Sequence, residues 1–413
     1  MSLPRRNLKH AMDELSIDNE WFLPERLSER AQAWGATMSG FSGEGDSLVR
    51  FAHRDAPQSV FEWDAPNDIA GTTFFRPLLR EEREEREDAT LATGATRSKG
   101  AGHRARGEEP DPVRTCFERD RDRILHGTAF RRLAGKTQVF IFPGDHQRTR
   151  LTHALEVAQV ARSIAQACRL NVALAEAIAL GHDCGHGPGG HASEDALSPY
   201  VPGGYDHAVW GADVVLAPLN LCAQTLDGVR NHSWSRPAPN TPEGEVVSWA
   251  DRIAYVCHDF EDAVHAGLVL PQDLPPIVLE LCGTTRSSQL NAFIVGVVQA
   301  IASTGRVGMV ERNAEALAEF RRWNYERIYL RPASRSQAGA VISLLRALVE
   351  HYADRPAMLP PTWSPGSTPI GGSDAALHAA VTYVAGMTDR FACAVAVSDL
   401  QWDPAKLPSG IIR

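Results

Sequence analysis

Residues 181–194 read GHDCGHGPGGHASE. A run of small and aliphatic residues with helical spacing, Val172 to Leu180, leads straight into them. Within the segment, His182, His186 and His191 share thirteen residues with Asp183 and Glu194, among five glycines and a proline. Glycine lets backbone approach a ligand closely. Imidazole and carboxylate together suit a divalent Zn, Fe, Mn or Ni ion. A buried carboxylate beside neutral histidines is costly without a cation.

Two flanking segments extend the pattern. WADRIAYVCHDFEDAV (Trp249 to Val264) sets Asp251, Tyr255, His258 or Asp259, and Asp262 along one helical face. Ile253, Val256, Cys257, Phe260 and Val264 fall on the others. An acidic stripe alone is usually a solvated face. Upstream, RTRLTHALEV (Arg148 to Val157) carries His153 on an amphipathic helix, where a lone histidine is more often a core residue. Together, however, His153, His182-Asp183 and Asp251 form an ordered set of two imidazoles and two carboxylates. Such a set leaves open positions for water or substrate.

The surrounding chain reads as mostly α. Leu151, Leu155, Ala158, Ala161 and Ala165 recur at threes and fours, and similar stretches cover 246–264, 338–352 and 375–397. Strand-type alternation is scarce. Residues 1–112 look different. REEREERED (Arg80 to Asp88) predicts a solvated helix of mixed charge, and 94–112 a mobile Gly/Arg/Pro linker. The aromatic stretch 61–75 predicts no definite element, and 355–372 reads as a Pro/Gly loop.

Composition narrows the classes. Of 413 residues 43% are hydrophobic and 23% charged, which excludes wholesale disorder. No apolar run approaches the ~20 residues of a membrane span, and the N-terminus lacks the apolar stretch of a secretory leader. A cytoplasmic protein without a membrane partner is expected. Seven cysteines without a CxxC pair argue against a disulfide framework and a thiolate zinc site. The net charge of −9 argues against a dedicated nucleic-acid binder. An anionic substrate would need local positive charge, and Arg131, Arg132, Lys136, Arg148 and Arg150 concentrate it between Arg119 and Arg150.

The ordered histidines and aspartates resemble the HD phosphohydrolase superfamily. The blocks RDRILHGTAFRRLAGKTQVF (121–140), RTRLTHALEVAQVAR (148–162), HDCGHGPGGHASE (182–194), WADRIAYVCHDFEDA (249–263), NYERIYL (324–330) and AGMTDRFA (385–392) resemble, more narrowly, the dGTPase-like deoxynucleoside triphosphate triphosphohydrolases. The resemblance implies an HD-domain helical fold with additional C-terminal helices. It gives a catalytic core at 113–345, a C-terminal helical segment at 346–413 packed on it, and an N-terminal extension at 1–112. It further implies one divalent ion (Mn, Mg, Fe, Ni or Zn) on His153, His182, Asp183 and Asp251, and hydrolysis of a dNTP to deoxynucleoside and tripolyphosphate by water attack at the α-phosphorus. His191 would be the catalytic histidine and Glu194 the carboxylate paired with it, three residues on. His186, Arg150, His207 and Arg327 would meet phosphate, and Gln138 the sugar 3′-hydroxyl. Tyr255 would lie under the deoxyribose and select against a 2′-hydroxyl, with Asp259 facing sugar or phosphate.

Departures from the family pattern are Gly187-Pro188-Gly189, where it has Pro-Pro-Phe, and Ala208-Val209-Trp210, where it has Asn-Ala-Gln. They predict a looser loop and an altered base preference. Family members form homo-oligomers, often with nucleotide effectors at subunit contacts. Two other readings stay open. One is an HD phosphatase or phosphodiesterase, with His207 and His232 holding a second ion. The other is a non-catalytic nucleotide-binding regulator. Single-stranded DNA would have the basic stretch Arg97 to Arg106 to bind.

Overall fold

The computed structural model describes residues 40–42, 50–52, 77–361 and 368–410. The chain forms two compact units, Met1–Arg76 and Pro77–Arg413. In the first, strands β1 (Phe41–Ser42) and β2 (Arg50–Phe51) pair antiparallel, with Phe41 opposite Phe51. The aromatic stretch 61–75 lies outside the described residues, as do 362–367 of the Pro/Gly loop.

The second unit is mostly α. Its helices are α1 (Arg80–Thr90), α2 (Cys116–His126), α3 (Thr128–Arg132), α4 (Arg150–Ala167), α5 (Val172–Gly181), α6 (His191–Leu197), α7 (His207–Trp210) and α8 (Ala223–Asn231). They continue with α9 (Pro242–His265), α10 (Pro276–Cys282), α11 (Arg286–Thr304), α12 (Glu311–Asn324), α13 (Pro332–Asp354), α14 (Asp374–Ala385) and α15 (Asp389–Leu400). No helix among the described residues is long and apolar enough to cross a membrane.

Three helices position the site. α5 (VALAEAIALG) is buried on nearly all sides, so it sits at the centre, capped by the Asn171 side chain accepting from Leu174 N. α4 packs on it through Ala154, Val157, Ala158, Ala161 and Ala165, whose small side chains let the axes approach closely. α9, started by Thr241 and Pro242, buries Val246, Ala250, Ile253, Ala254 and Cys257 against both. A second apolar cluster joins α13, α14 and α15 to Ala196 and Leu197 of α6.

Several sequence-based boundaries move. Residues 77–112 belong with the helices of the second unit. α1 forms as read, but Glu84 is buried against Arg80, and Glu87 accepts from Ser98 N at 2.8 Å. The basic stretch is tied inward. Arg97 donates to the carbonyls of Leu91, Ala92 and Ala95, while Arg104 pairs with the fully buried Asp120 at 2.6 Å. Thr96 reaches Glu243 of α9. These partners lie far away in sequence, so composition alone reads the segment as a linker, and the cations suggested for single-stranded DNA are used within the fold. The 345/346 boundary falls inside α13. The stretch 375–397 is two helices, parted at Gly386–Thr388, where Thr388 is the extended N-cap of α15.

Candidate active site

α4, α5 and α9 bring His153, His182, Asp183 and Asp251 together. His153 Nε2 lies 3.1 Å from Asp251 Oδ1 and 3.9 Å from Asp183 Oδ2. His182 Nε2 lies 3.4 Å from Asp183 Oδ1 and 3.6 Å from Asp251 Oδ1. Ligand atoms each about 2.1 Å from a common ion sit roughly 3–3.5 Å apart, which this spacing fits. His182 Nδ1 donates to Ala179 O at 2.7 Å, fixing the tautomer that turns Nε2 inward. That Nε2 is buried without a hydrogen-bond partner. The residues therefore fit a divalent ion.

Charges in the cluster hold each other. Burial alone would raise the Asp183 carboxyl, but Arg150 and His182 keep it well below the usual range. Burial acts the same way on Asp251, and the adjacent His153 and His182 imidazoles overcome it. Burial would lower His182, yet Asp183 and Asp251 carry it up to about 9.

A second set of imidazoles adjoins the first. His186 Nε2 is 3.3 Å from Asp183 Oδ1, and its ring stacks on His207 with centroids 3.8 Å apart. His207 Nε2 faces His232 Nε2 at 3.3 Å. Each of those rings has an acceptor at Nδ1: Glu194 for His207, and the Val229 carbonyl, at 2.8 Å, for His232. Both Nδ1 atoms then carry the proton, and two lone pairs point at one another.

The cluster forms the floor of a cavity of about 550 Å³. Arg150, almost fully buried, gives Nη1 to Asp183 Oδ2 at 2.6 Å. Its Nε and Nη2 are buried without partners, as is Gln138 Oε1 in the same wall. Farther out, Tyr255 OH accepts from Arg321 Nε at 2.6 Å and Arg252 Nη1 at 3.4 Å. The Arg252 guanidinium lies 3.7 Å above the Trp234 ring, and Arg331 also lines the wall. Asp259 accepts from the Tyr329 hydroxyl, and burial pushes its carboxyl up to about 8, so it is protonated at neutral pH.

A family model described as HD domain matches residues 150–256, spanning His153 to Asp251. One described as phosphohydrolase-associated domain matches 307–397. A Caldanaerobacter subterraneus protein named deoxyguanosinetriphosphate triphosphohydrolase-like is 39% identical over 321 residues, 76% of this chain and 93% of that one. A Clostridium perfringens protein of the same name is 39% identical over 330 residues, 76% and 95% of the two chains. One from Syntrophus aciditrophicus is 34% identical over 378 residues, 76% and 94%. The chain belongs to the dGTPase-like triphosphohydrolase family of HD-domain proteins.

Membership makes this dGTPase-like protein a metal-dependent phosphohydrolase, and most of the residues inferred from the family pattern do converge. His153, Asp183, Asp251, His186, His191, His207, Gln138, Arg150, Tyr255 and Asp259 all line the cavity, and His182 backs it. Two expectations are corrected. Glu194 does not bond to His191; its Oε1 accepts from His207 N at 3.0 Å and from His207 Nδ1. His191 opens on the cavity, where the protein around it and the Arg150 charge lower its pKa. Arg327 is exposed and outside the cavity. A π-helical turn over Tyr325–Tyr329 follows α12, and it is Tyr329 and Arg321 that face in.

Much of the positive charge between Arg119 and Arg150 is committed elsewhere. Arg119 and Arg123 pair with Glu108, Arg121 with Asp122 and Glu176, and Arg148 with Glu156, Glu261 and Asp262. Of that stretch, Arg150 is the only Arg or Lys lining the cavity. The other cavity cations, Arg252, Arg321 and Arg331, were missed. Only Arg252, beside Asp251, carried a usable signal. Trp210 stacks between Tyr205 and His378, away from the cavity lining, so the Ala208-Val209-Trp210 departure does not touch the site directly. Nor is the Gly187-Pro188-Gly189 loop slack, because Ser193 Oγ accepts from Gly187 N at 3.0 Å and donates to Gly190 O at 2.6 Å.

Proposed function

We propose that the protein hydrolyses a deoxynucleoside triphosphate to deoxynucleoside and tripolyphosphate, with one divalent ion on His153, His182, Asp183 and Asp251. The carrying observation is Arg150, whose two partnerless buried donors border the metal cluster at the inner end of a cavity whose outer part holds Arg252 and Arg321. An α-phosphate on Arg150 would leave the rest of the triphosphate chain to those outer cations. The names of the relatives support this substrate class.

In this reading the ion supplies Lewis-acid polarisation of the α-phosphate and helps activate water. Arg150 and His186 orient that phosphate. His191, neutral at physiological pH, carries a proton to or from the groups in line at phosphorus. Glu194 orients His207 toward phosphate. The Tyr255 hydroxyl is tied by Arg321, which fixes the ring beneath the sugar, where a 2′-hydroxyl would clash. Gln138 and protonated Asp259 bind the 3′-hydroxyl side. Homo-oligomers with nucleotide effectors, in the cytoplasm, belong to the same reading.

Incubation with each dNTP and Mn²⁺ or Mg²⁺, followed by product separation, tests it. Deoxynucleoside and tripolyphosphate are expected; nucleoside monophosphate with pyrophosphate would reject the reading. The same panel reports base preference. A second reading rests on the facing lone pairs of His207 and His232, which a second cation beside Asp183 would relieve. A metal:protein ratio near two, with inorganic phosphate as product, would favour that phosphatase.

A further inference from the structure

Asp389, the first residue of α15, is buried and does not line the cavity. Its Oδ2 accepts from Thr137 N at 2.9 Å and Thr137 Oγ1 at 2.5 Å, and its Oδ1 from Gly189 N at 2.8 Å. Lys136, next to Thr137 and also buried, donates from Nζ to the carbonyls of His186 and Ala385, the latter at 3.0 Å. The loop between His186 and His191 is thus gripped by two buried groups, the Lys136 nitrogen and the Asp389 carboxyl. One belongs to the C-terminal helices, and the other is anchored to them.

We propose that Asp389 and Lys136 are a pair of positioning residues that set His191, and with it the Thr137–Gln138 wall, from outside the active site. The loop has little freedom of its own to settle the matter. Gly189 has φ +75°, and a Cβ there would lie 2.6 Å from Val341 Cγ1. Gly190 has φ +63°, and a Cβ there would meet Arg150 Nη2 at 2.7 Å. Both take backbone conformations that other residues adopt only with strain, squeezed between α13 and Arg150. Gly190 is also the N-cap of α6, so the backbone direction at Gly189–Gly190 decides where the His191 imidazole enters the cavity. An unpaired buried N–H at Gly189 would favour another backbone arrangement. Asp389 removes that option while fixing the opposite wall through Thr137. Of the proposed metal ligands, His153 and Asp251 sit on α4 and α9, and His182 and Asp183 directly follow α5; none of them bonds to Asp389 or Lys136.

The inference rests on the proposed role of His191, and its test keeps the two apart. Asp389→Asn retains shape but turns an N–H toward Gly189 or Thr137. It should lower kcat for the preferred dNTP by ~10- to 100-fold, as misplacement of a reacting group does. KM should change little, and metal content should stay at the wild-type value. Amide exchange should quicken in a peptide covering 186–197 and stay unchanged in peptides from α4, α5 and α9. Lys136→Met should act in the same direction, and the double variant should be little worse than the poorer single one, because both hold one loop. Wild-type kcat in Asp389→Asn would overturn the clamp. So would exchange raised throughout the unit with loss of metal, or fully multiplicative losses in the double variant. Absence of dNTP hydrolysis by the wild type would reject the proposed function, while local exchange with retained metal would still decide the clamp.

Discussion

Arg150→Lys separates charge from geometry at the site. The guanidinium makes one buried bond to Asp183, at 2.6 Å, and holds two further donors, Nε and Nη2, without partners. Lysine keeps one charge on a single nitrogen, which the Asp183 carboxylate would retain. The two donors offered to phosphate are then lost. At about 1.5–3 kcal/mol for each hydrogen bond to a charged group, the loss is about 3–6 kcal/mol. With about 1.4 kcal/mol per tenfold, kcat/KM should fall by roughly 10²- to 10⁴-fold. Metal content should be unchanged, because the carboxylate keeps its cationic neighbour. Steady-state kinetics on the preferred dNTP, with metal analysis of the same samples, measures both. A kcat/KM within about threefold of wild type, with metal retained, would refute the idea that the partnerless donors await phosphate. Arg150→Met goes further by leaving Asp183 without its partner. In the metal-free protein that should cost about 3–5 kcal/mol, and less once an ion replaces the lost charge. Calorimetry with and without metal should therefore show a wider Tm gap in this variant than in wild type.

His191→Ala should leave metal bound and cut kcat ~100-fold or more, whereas Asp183→Ala should lose metal and activity together; full activity in the former removes His191 from the mechanism. Asp259 makes stability pH-dependent: its folded carboxyl titrates at about 8 against about 3.9 unfolded, so between these values the folded chain holds a proton the unfolded chain lacks. Its contribution is fully present below about pH 4 and is lost as pH rises through about 8, by about 5–6 kcal/mol, and Asp259→Asn should flatten that slope in denaturant titrations run across the range. Arg104→Met should destabilise the second unit by about 3–5 kcal/mol, because it removes the countercharge of the fully buried Asp120 and leaves it only the hydrogen bonds from Cys222 N and Thr225 Oγ1; a change under about 1 kcal/mol in urea unfolding would return residues 94–112 to the status of a linker.

The residues proposed to hold the metal were legible because each is announced locally. His153 and Asp251 are polar residues on faces of strongly patterned helices, and His182-Asp183 ends a helix too apolar to be anything but central. Mostly helical architecture followed from the same periodicity, which a chain displays without reference to its partners. Pairing did not follow. Three residues of separation allow Glu194 to reach His191, yet the chain returns at His207 and takes the carboxylate. Counting cations between Arg119 and Arg150 said nothing about the acids waiting at Glu108, Glu176 and Glu261. Beyond α12 a π-helical turn set Tyr329 toward the cavity and Arg327 outside it, and Asp389 reached the loop before His191 across 200 residues. Residue type and local spacing thus determined which chemistry the chain contains. Which group bonds to which was decided by packing, since hydrogen bonds and ion pairs depend on distances of a few ångströms between segments whose separation along the chain carries no such information.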